Sequence, residues 1–239
     1  TLASMLNYRN ENATGHILTI EDPLEFLHAH KLSVVDQREV GIDTHSYEEA
    51  LKNALREAPD VIMIGEIRDR NTMKQAIAYA ETGHLCLSTL HANNANQAME
   101  RVINFFPEEA HRQLLVDLSL NLAGVVSQRL IPGLHEKLVP AVEVMLNSSY
   151  ISDLITKGEF SGIKEAMARS TEIGMCTFDQ ALYQLYTEDR ISLDEALHNA
   201  DSRTDLALRI RLAAGVSTQD AGDLSIDTSS PIQSAARLA

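Results

Sequence analysis

Between residues 60 and 91 the chain passes from an unbroken apolar run to an amphipathic stretch and back, and this segment organises the rest. Val61-Ile62-Met63-Ile64 has no polar alternation, the pattern of a strand buried on both faces of a parallel sheet. Gly65 and Glu66 follow at once, so a carboxylate stands just past the strand's C-terminal end, the edge at which open α/β sheets bind ligands. From 71 to 81 the period becomes helical, with Met73, Ala76, Ile77 and Ala80 on one face to cover the sheet. His84-Leu85-Cys86-Leu87-Ser88 predicts a second apolar strand that delivers Thr89 and His91 to the same edge.

The flanking pattern is also α/β. Leu2, Met5 and Leu6 have core spacing in an uncapped helix, so the chain reads as starting inside an element. Residues 16–20 predict a strand that ends in Glu21-Asp22-Pro23-Leu24-Glu25. In isolation these three acids read as surface loop residues. Ser46 and Glu49 open a helix over 46–57 whose core face is Tyr47, Ala50, Leu51, Ala54 and Leu55. Asn94 with Gln97 opens another, burying Ala98, the Arg101 stem, Val102 and Phe105 before Pro107. A leucine-rich helix over 108–123 follows, then strands over 125–131 and 138–146 joined at Pro132-Gly133. After 147 only short helices are predicted. The stripe Phe178, Ala181, Leu182, Leu185 and Tyr186 reads as helix packing, and from Gly215 the weakly periodic Ser/Thr/Asp/Ala sequence predicts a disordered tail.

Composition narrows the function. A length of 239 residues suits one sizeable α/β unit and a smaller satellite. No apolar run approaches a membrane span, and no secretory leader pattern opens the chain. A net charge of −14 without a basic stripe argues against a nucleic-acid partner. Cys86 and Cys176 form no CxxC pair, so neither a disulfide framework nor a zinc site is indicated, and the expected location is cytoplasmic.

Carboxylates at two strand ends suit nucleotide hydrolysis, which needs magnesium, an oriented water and positive charge facing the transferred phosphoryl group. A hard cation takes oxygen ligands and keeps several waters. Glu21 and Glu66 supply such oxygens, and Glu66, on the more buried strand, is the better group to polarise a water. Gly65 leaves room for a phosphate, and Arg68 or Arg129 suits phosphate charge. Each has a plainer reading. Strand-end acids are often merely solvated, His84 and His91 often fill polar core positions, and Arg129 could snorkel from an edge strand.

The motifs decide between these readings. ILTIEDPLEF (17–26) resembles the Asp box of the secretion-superfamily ATPases, DVIMIGEIRD (60–69) their Walker B segment, and ETGHLCLSTLHANNA (81–95) their His box. With QREVGIDTHSYEEALKNALREAPD (37–60) and SQRLIP (127–132) they stand in that superfamily's order. The whole stretch to about 215 resembles the type IV pilus retraction ATPases of the PilT/PilU family, nearer the PilU branch.

That resemblance implies a RecA-like P-loop NTPase core over 1–146, an all-helical C-terminal lobe over 147–215 and a tail over 216–239. It implies ATP and magnesium as cofactors, with Glu66 as the catalytic Walker B glutamate and Glu21 as the acid of the Asp box, both reaching the metal partly through water. It implies catalytic roles for His84, His91 and Arg68, and nucleotide contacts from Asp22, Glu25 and Arg129. The implied assembly is a homo-hexamer, or a mixed hexamer with a related retraction ATPase, against an inner-membrane pilus platform protein at the cytoplasmic base of the pilus. The segment 147–159 corresponds to a helix that PilT-type proteins need for retraction, in different wording. The resemblance also puts the GxxxxGK[ST] loop immediately before Thr1, so the chain reads as a fragment that binds ATP poorly by itself. Two other roles remain. One is an accessory subunit with little turnover. The other is a pilus assembly or type II secretion ATPase, disfavoured because no cysteine pairs follow 127–131.

Overall fold

Four parallel strands set out the site. β1 (Gly15–Glu21), β2 (Ser33–Glu39), β3 (Val61–Ile64) and β4 (Leu85–Ser88) form one sheet in the order β2-β1-β3-β4. The computed structural model describes residues 1–213, so the tail over 216–239 and the lobe's expected last residues, 214 and 215, lie outside them. Every residue of β3 is buried, as its unbroken apolar run requires. Helices α1 (Leu2–Asn12), α2 (Tyr47–Ala54), α3 (Arg70–Glu81), α4 (Ala95–Asn104) and α5 (Glu108–Asn121) accompany the sheet. Side chains of Ser46, Asp69 and Asn94 cap α2, α3 and α4 by accepting N–H groups three residues on.

β5 (Gly124–Pro132) and β6 (Leu138–Leu146) pair antiparallel over their whole length. They form a two-stranded sheet of their own. Then come α6 (Ser149–Lys157), α7 (Ile163–Ala168), α8 (Phe178–Thr187), α9 (Leu193–Asn199) and α10 (Arg203–Ala213). Packing does not break at 146/147. Ile151, Leu154, Ile155, Ile163 and Met167 join the main core with Leu18, Ile62 and Met99. A second cluster unites Ile131, Val139 and Ala141 of the hairpin with Phe178, Leu182, Ala196 and Leu206. The hairpin's inner face thus spans two cores, with Met145 in the first and Ala141 in the second.

Several local expectations change. β2 was not anticipated, because five of its seven residues are polar and only Ser33 and Val35 are buried. It is held by Asn10, 1% exposed, whose Oδ1 accepts the N–H groups of Lys31 and Ser33, each at 3.2 Å. α1 runs on to Asn12 and buries Leu6 and Asn10, leaving Met5 outside. β4 is a partly exposed edge strand, not a buried one. On α3 the deeply buried large residue is Tyr79, whose hydroxyl donates to the Leu51 carbonyl. Around α4, Phe106 is buried in place of Phe105, and Arg101 stays outside over the Phe105 ring.

Candidate active site

β1 and β3 end side by side. Ile20 and Ile64 are their last register pair, and the Gly65 N–H donates to the Ile20 carbonyl at 2.8 Å. A Cβ on Gly65 would stand 3.1 Å from the Tyr47 hydroxyl and 3.3 Å from the Glu21 Cα. Glycine therefore lets the two strand ends and α2 close around one point. Glu66 comes next and is held from both sides. Its Oε2 accepts from Arg68 Nε at 2.6 Å, and its Oε1 lies 2.9 Å from His91 Nε2. The Glu66 side chain is 15% exposed, against 61% for Arg68 and 80% for His91. The carboxylate is sunk in the edge while its two partners face solvent. His91 arrives there because the loop after β4 is tied down. The Thr89 hydroxyl donates to the Gly65 carbonyl at 2.6 Å, and the Ile67 N–H donates to the Thr89 carbonyl at 3.0 Å.

Glu21 is the last residue of β1 and only 5% exposed, not a loop acid. Burying a carboxylate is costly unless donors surround it. Here the Thr19 hydroxyl and Gln37 Nε2 donate to Oε1 at 2.7 and 3.3 Å, and the Glu25 N–H approaches Oε2 at 3.4 Å. Thr19 and Gln37 are register partners across β1 and β2, so the strand that sequence reading missed supplies one of these donors. Asp22 and Glu25 are both exposed at the same end. Burial, then the charge of Asp22, raises the Tyr47 hydroxyl above its usual range, Glu66 and Glu21 adding to the effect and Arg68 opposing it. Tyr47 thus keeps its proton, with its hydroxyl turned toward Gly65. Its sequence role was helix core, and nothing in the helical period distinguishes a ring that packs from a hydroxyl that also reaches a strand end.

Two expected site residues stand elsewhere. His84 precedes β4, at the opposite end of the sheet from Glu66 and His91. Its Nδ1 lies 2.9 Å from the Thr82 hydroxyl and 3.2 Å from the Tyr79 carbonyl. A strand separates the two histidines, so within this chain His84 does not join the cluster. Arg129 is not free for phosphate either. It pairs with Asp201 at 2.7 Å, donates to the Asn199 carbonyl at 2.9 Å and stacks 3.9 Å over the Phe178 ring. Among the described residues, no group of three His, Cys, Asp or Glu side chains could hold a metal ion by itself.

Comparison with known proteins decides what this arrangement belongs to. The family model described as Type II/IV secretion system protein matches residues 1–204. The chain belongs to that secretion ATPase family. It is 59% identical to the type IV pilus ATPase PilU of Pseudomonas aeruginosa over 94% of this chain and 58% of PilU. It is 42% identical to the pilus retraction ATPase PilT of the same organism, over 84% of this chain and 58% of PilT. A crystal structure of the pilus retraction motor PilT with bound ADP superposes with a TM-score of 0.81 at 40% identity, over 87% of this chain and 59% of that one. The chain thus spans somewhat over half the length of the relatives it matches, and its fold is the RecA-like fold of secretion ATPases. Within this family frame, Glu21, Glu66, Arg68 and His91 converge at one sheet edge, and Tyr47, Thr19 and Gln37 support them.

Proposed function

We propose that the protein carrying this chain is an ATP-hydrolysing motor subunit for type IV pilus retraction and twitching motility. The observation that carries the reading is Glu66, held between Arg68 and His91 at the end of β3 and beside the buried Glu21. A carboxylate fixed at both oxygens has one orientation from which to accept a proton from, and aim, an attacking water. Exposed Arg68 offers a guanidinium to phosphate oxygens as negative charge develops on them. The oxygen donors here, Glu66 and Glu21, partly through water, fit magnesium, which uses one or two carboxylates and completes its shell with water and phosphate. Bound there, magnesium would neutralise phosphate charge during transfer. Asp22 and Glu25, exposed at the same end, would contact the nucleotide through water. In this reading the subunits form a hexamer, of one kind or mixed with a related retraction ATPase, on an inner-membrane platform protein at the cytoplasmic base of the pilus. Among the described residues no helix is long and apolar enough to cross a membrane.

The test is ATP turnover by the full-length gene product with Glu66→Gln as its control. Glutamine keeps the shape and loses the charge, so turnover should fall about 100-fold or more while nucleotide binding survives. A full-length product that binds nucleotide without turnover would replace the motor reading with an accessory subunit of a retraction motor.

A further inference from the structure

His91 poses a positioning problem. Its side chain is 80% exposed, so packing does not hold it against Glu66, and the backbone must. Upstream, the Thr89 hydroxyl bonds the Gly65 carbonyl at 2.6 Å. Downstream, the anchor comes from the hairpin. Glu143, 3% exposed on β6, accepts the Ala95 N–H on Oε1 at 2.8 Å. Arg129 on β5 reaches the Asn93 carbonyl with its second terminal nitrogen at 3.4 Å. Both residues stand on the hairpin's inner face, where Met145 belongs to the main core and Ala141 to the second.

We propose that Glu143 and Arg129 are positioning residues that hold the turn over 93–95, and through it His91, in place against Glu66. The site they serve is the one argued above, so this inference rests on that reading. The Glu143 carboxylate is buried at the seam of two apolar clusters, where an apolar side chain would cost less to bury. What an apolar replacement could not do is accept the first free N–H of α4. Arg129 is itself oriented from outside. Asp201 pairs with it at 2.7 Å, Lys164 bridges Asp201 and Asp179 at 3.2 and 3.0 Å, and the Asp201 N–H donates to Asp179 at 2.8 Å. Lys164 lies on α7 of the main core side and Asp179 on α8 of the second cluster. Displacement of α8 and the loop before α10 is thereby felt at Arg129, and from there at the turn behind His91.

The experiment uses the full-length gene product with Glu143→Ala, Glu143→Gln and the Glu66→Gln control. Turnover and hydrogen exchange at the Ala95 amide are measured together. Glu143→Ala should lower kcat about tenfold to a hundredfold, the penalty for misplacing a site group by ~1 Å, and should speed Ala95 exchange. The KM for ATP should stay within about twofold, because the interaction serves the reacting geometry. Glu143→Gln keeps an acceptor oxygen and should restore both readouts. Unchanged turnover and exchange in Glu143→Ala would overturn the proposal, as would a glutamine variant that behaves like the alanine one. Full turnover in Glu66→Gln would sink the functional reading instead, and Ala95 exchange would then decide the anchoring on its own. Should Glu143→Ala not fold, Asp201→Asn, which loosens Arg129 from outside, should speed exchange over 93–95; unchanged exchange there would count against the proposal.

Discussion

His91 Nε2 lies 2.9 Å from Glu66 Oε1, and Arg68 Nε lies 2.6 Å from the other oxygen of the same carboxylate. Glu66 comes from the end of β3 and His91 from the loop after β4, so their meeting depends on the parallel pairing of those strands. The geometry makes the two side chains a clamp on one acid.

His91→Ala and Arg68→Ala should each lower turnover, and their double-mutant cycle should be non-additive because both act on Glu66. Both side chains are largely exposed, so stability should change by only about 0.5 kcal/mol or less. Rate effects that simply multiply would show that the two residues act independently of a shared carboxylate.

Gly65→Ala tests the convergence of β1, β3 and α2. The added methyl would sit 3.1 Å from the Tyr47 hydroxyl, 3.3 Å from the Glu21 Cα and 3.4 Å from the Ile20 carbonyl, two of the three being backbone. Overpacking of this kind costs about 1–3 kcal/mol, read by urea unfolding. Turnover should fall as well, since the separation of Glu21 and Glu66 changes. A variant with native stability and native rate would contradict the close approach.

Glu143 makes stability depend on pH. Burial raises its carboxyl above the ordinary 4.5, partly offset by the Ala95 N–H. An acid raised by folding is protonated more readily in the folded state. The cost of burying its ionised form is therefore absent below the ordinary value and grows as pH rises from there through the raised one. Glu143→Gln should gain stability at pH 7 relative to pH 4, about 2–4 °C in melting temperature for a change near 1 kcal/mol. Thermal melts showing a larger gain at pH 4 would reverse the assigned sign.

Cys86 should be an inert thiol. Burial pushes it up to about 12, so at pH 8 on the order of one molecule in ten thousand carries the thiolate. Burial also raises Cys176. Iodoacetamide followed by mass spectrometry should leave Cys86 unmodified in the native protein and label it in urea. Rapid native labelling would mean that the partly exposed edge at β4 opens far more often than its packing implies.

Much of this was legible in the chain, for a local reason. Val61-Ile62-Met63-Ile64 has to be a doubly buried strand, and Gly65-Glu66 then has to stand at a ligand-binding edge, whatever surrounds them. The capped starts of α2 and α4 and the hairpin at Pro132-Gly133 follow from residues a few positions apart. The Asp-box, Walker B and His-box wording named the family before any coordinate was needed. β2 was less legible, because five of its seven residues are polar and its partner Asn10 belongs to another element.

Sequence by itself determined the α/β class, the main strands, the helical C-terminal region and the acids placed at strand ends, since hydrophobic periodicity and capping are short-range properties. Only the tertiary structure decided which polar atoms meet. It put Glu21 under Thr19 and Gln37, turned Tyr47 toward Gly65, set His84 at the far end of β4 and engaged Arg129 with Asp201 and Phe178. Those outcomes depend on strand order and on packing between residues distant in the chain, where one buried hydrogen bond outweighs any local preference for where a side chain points.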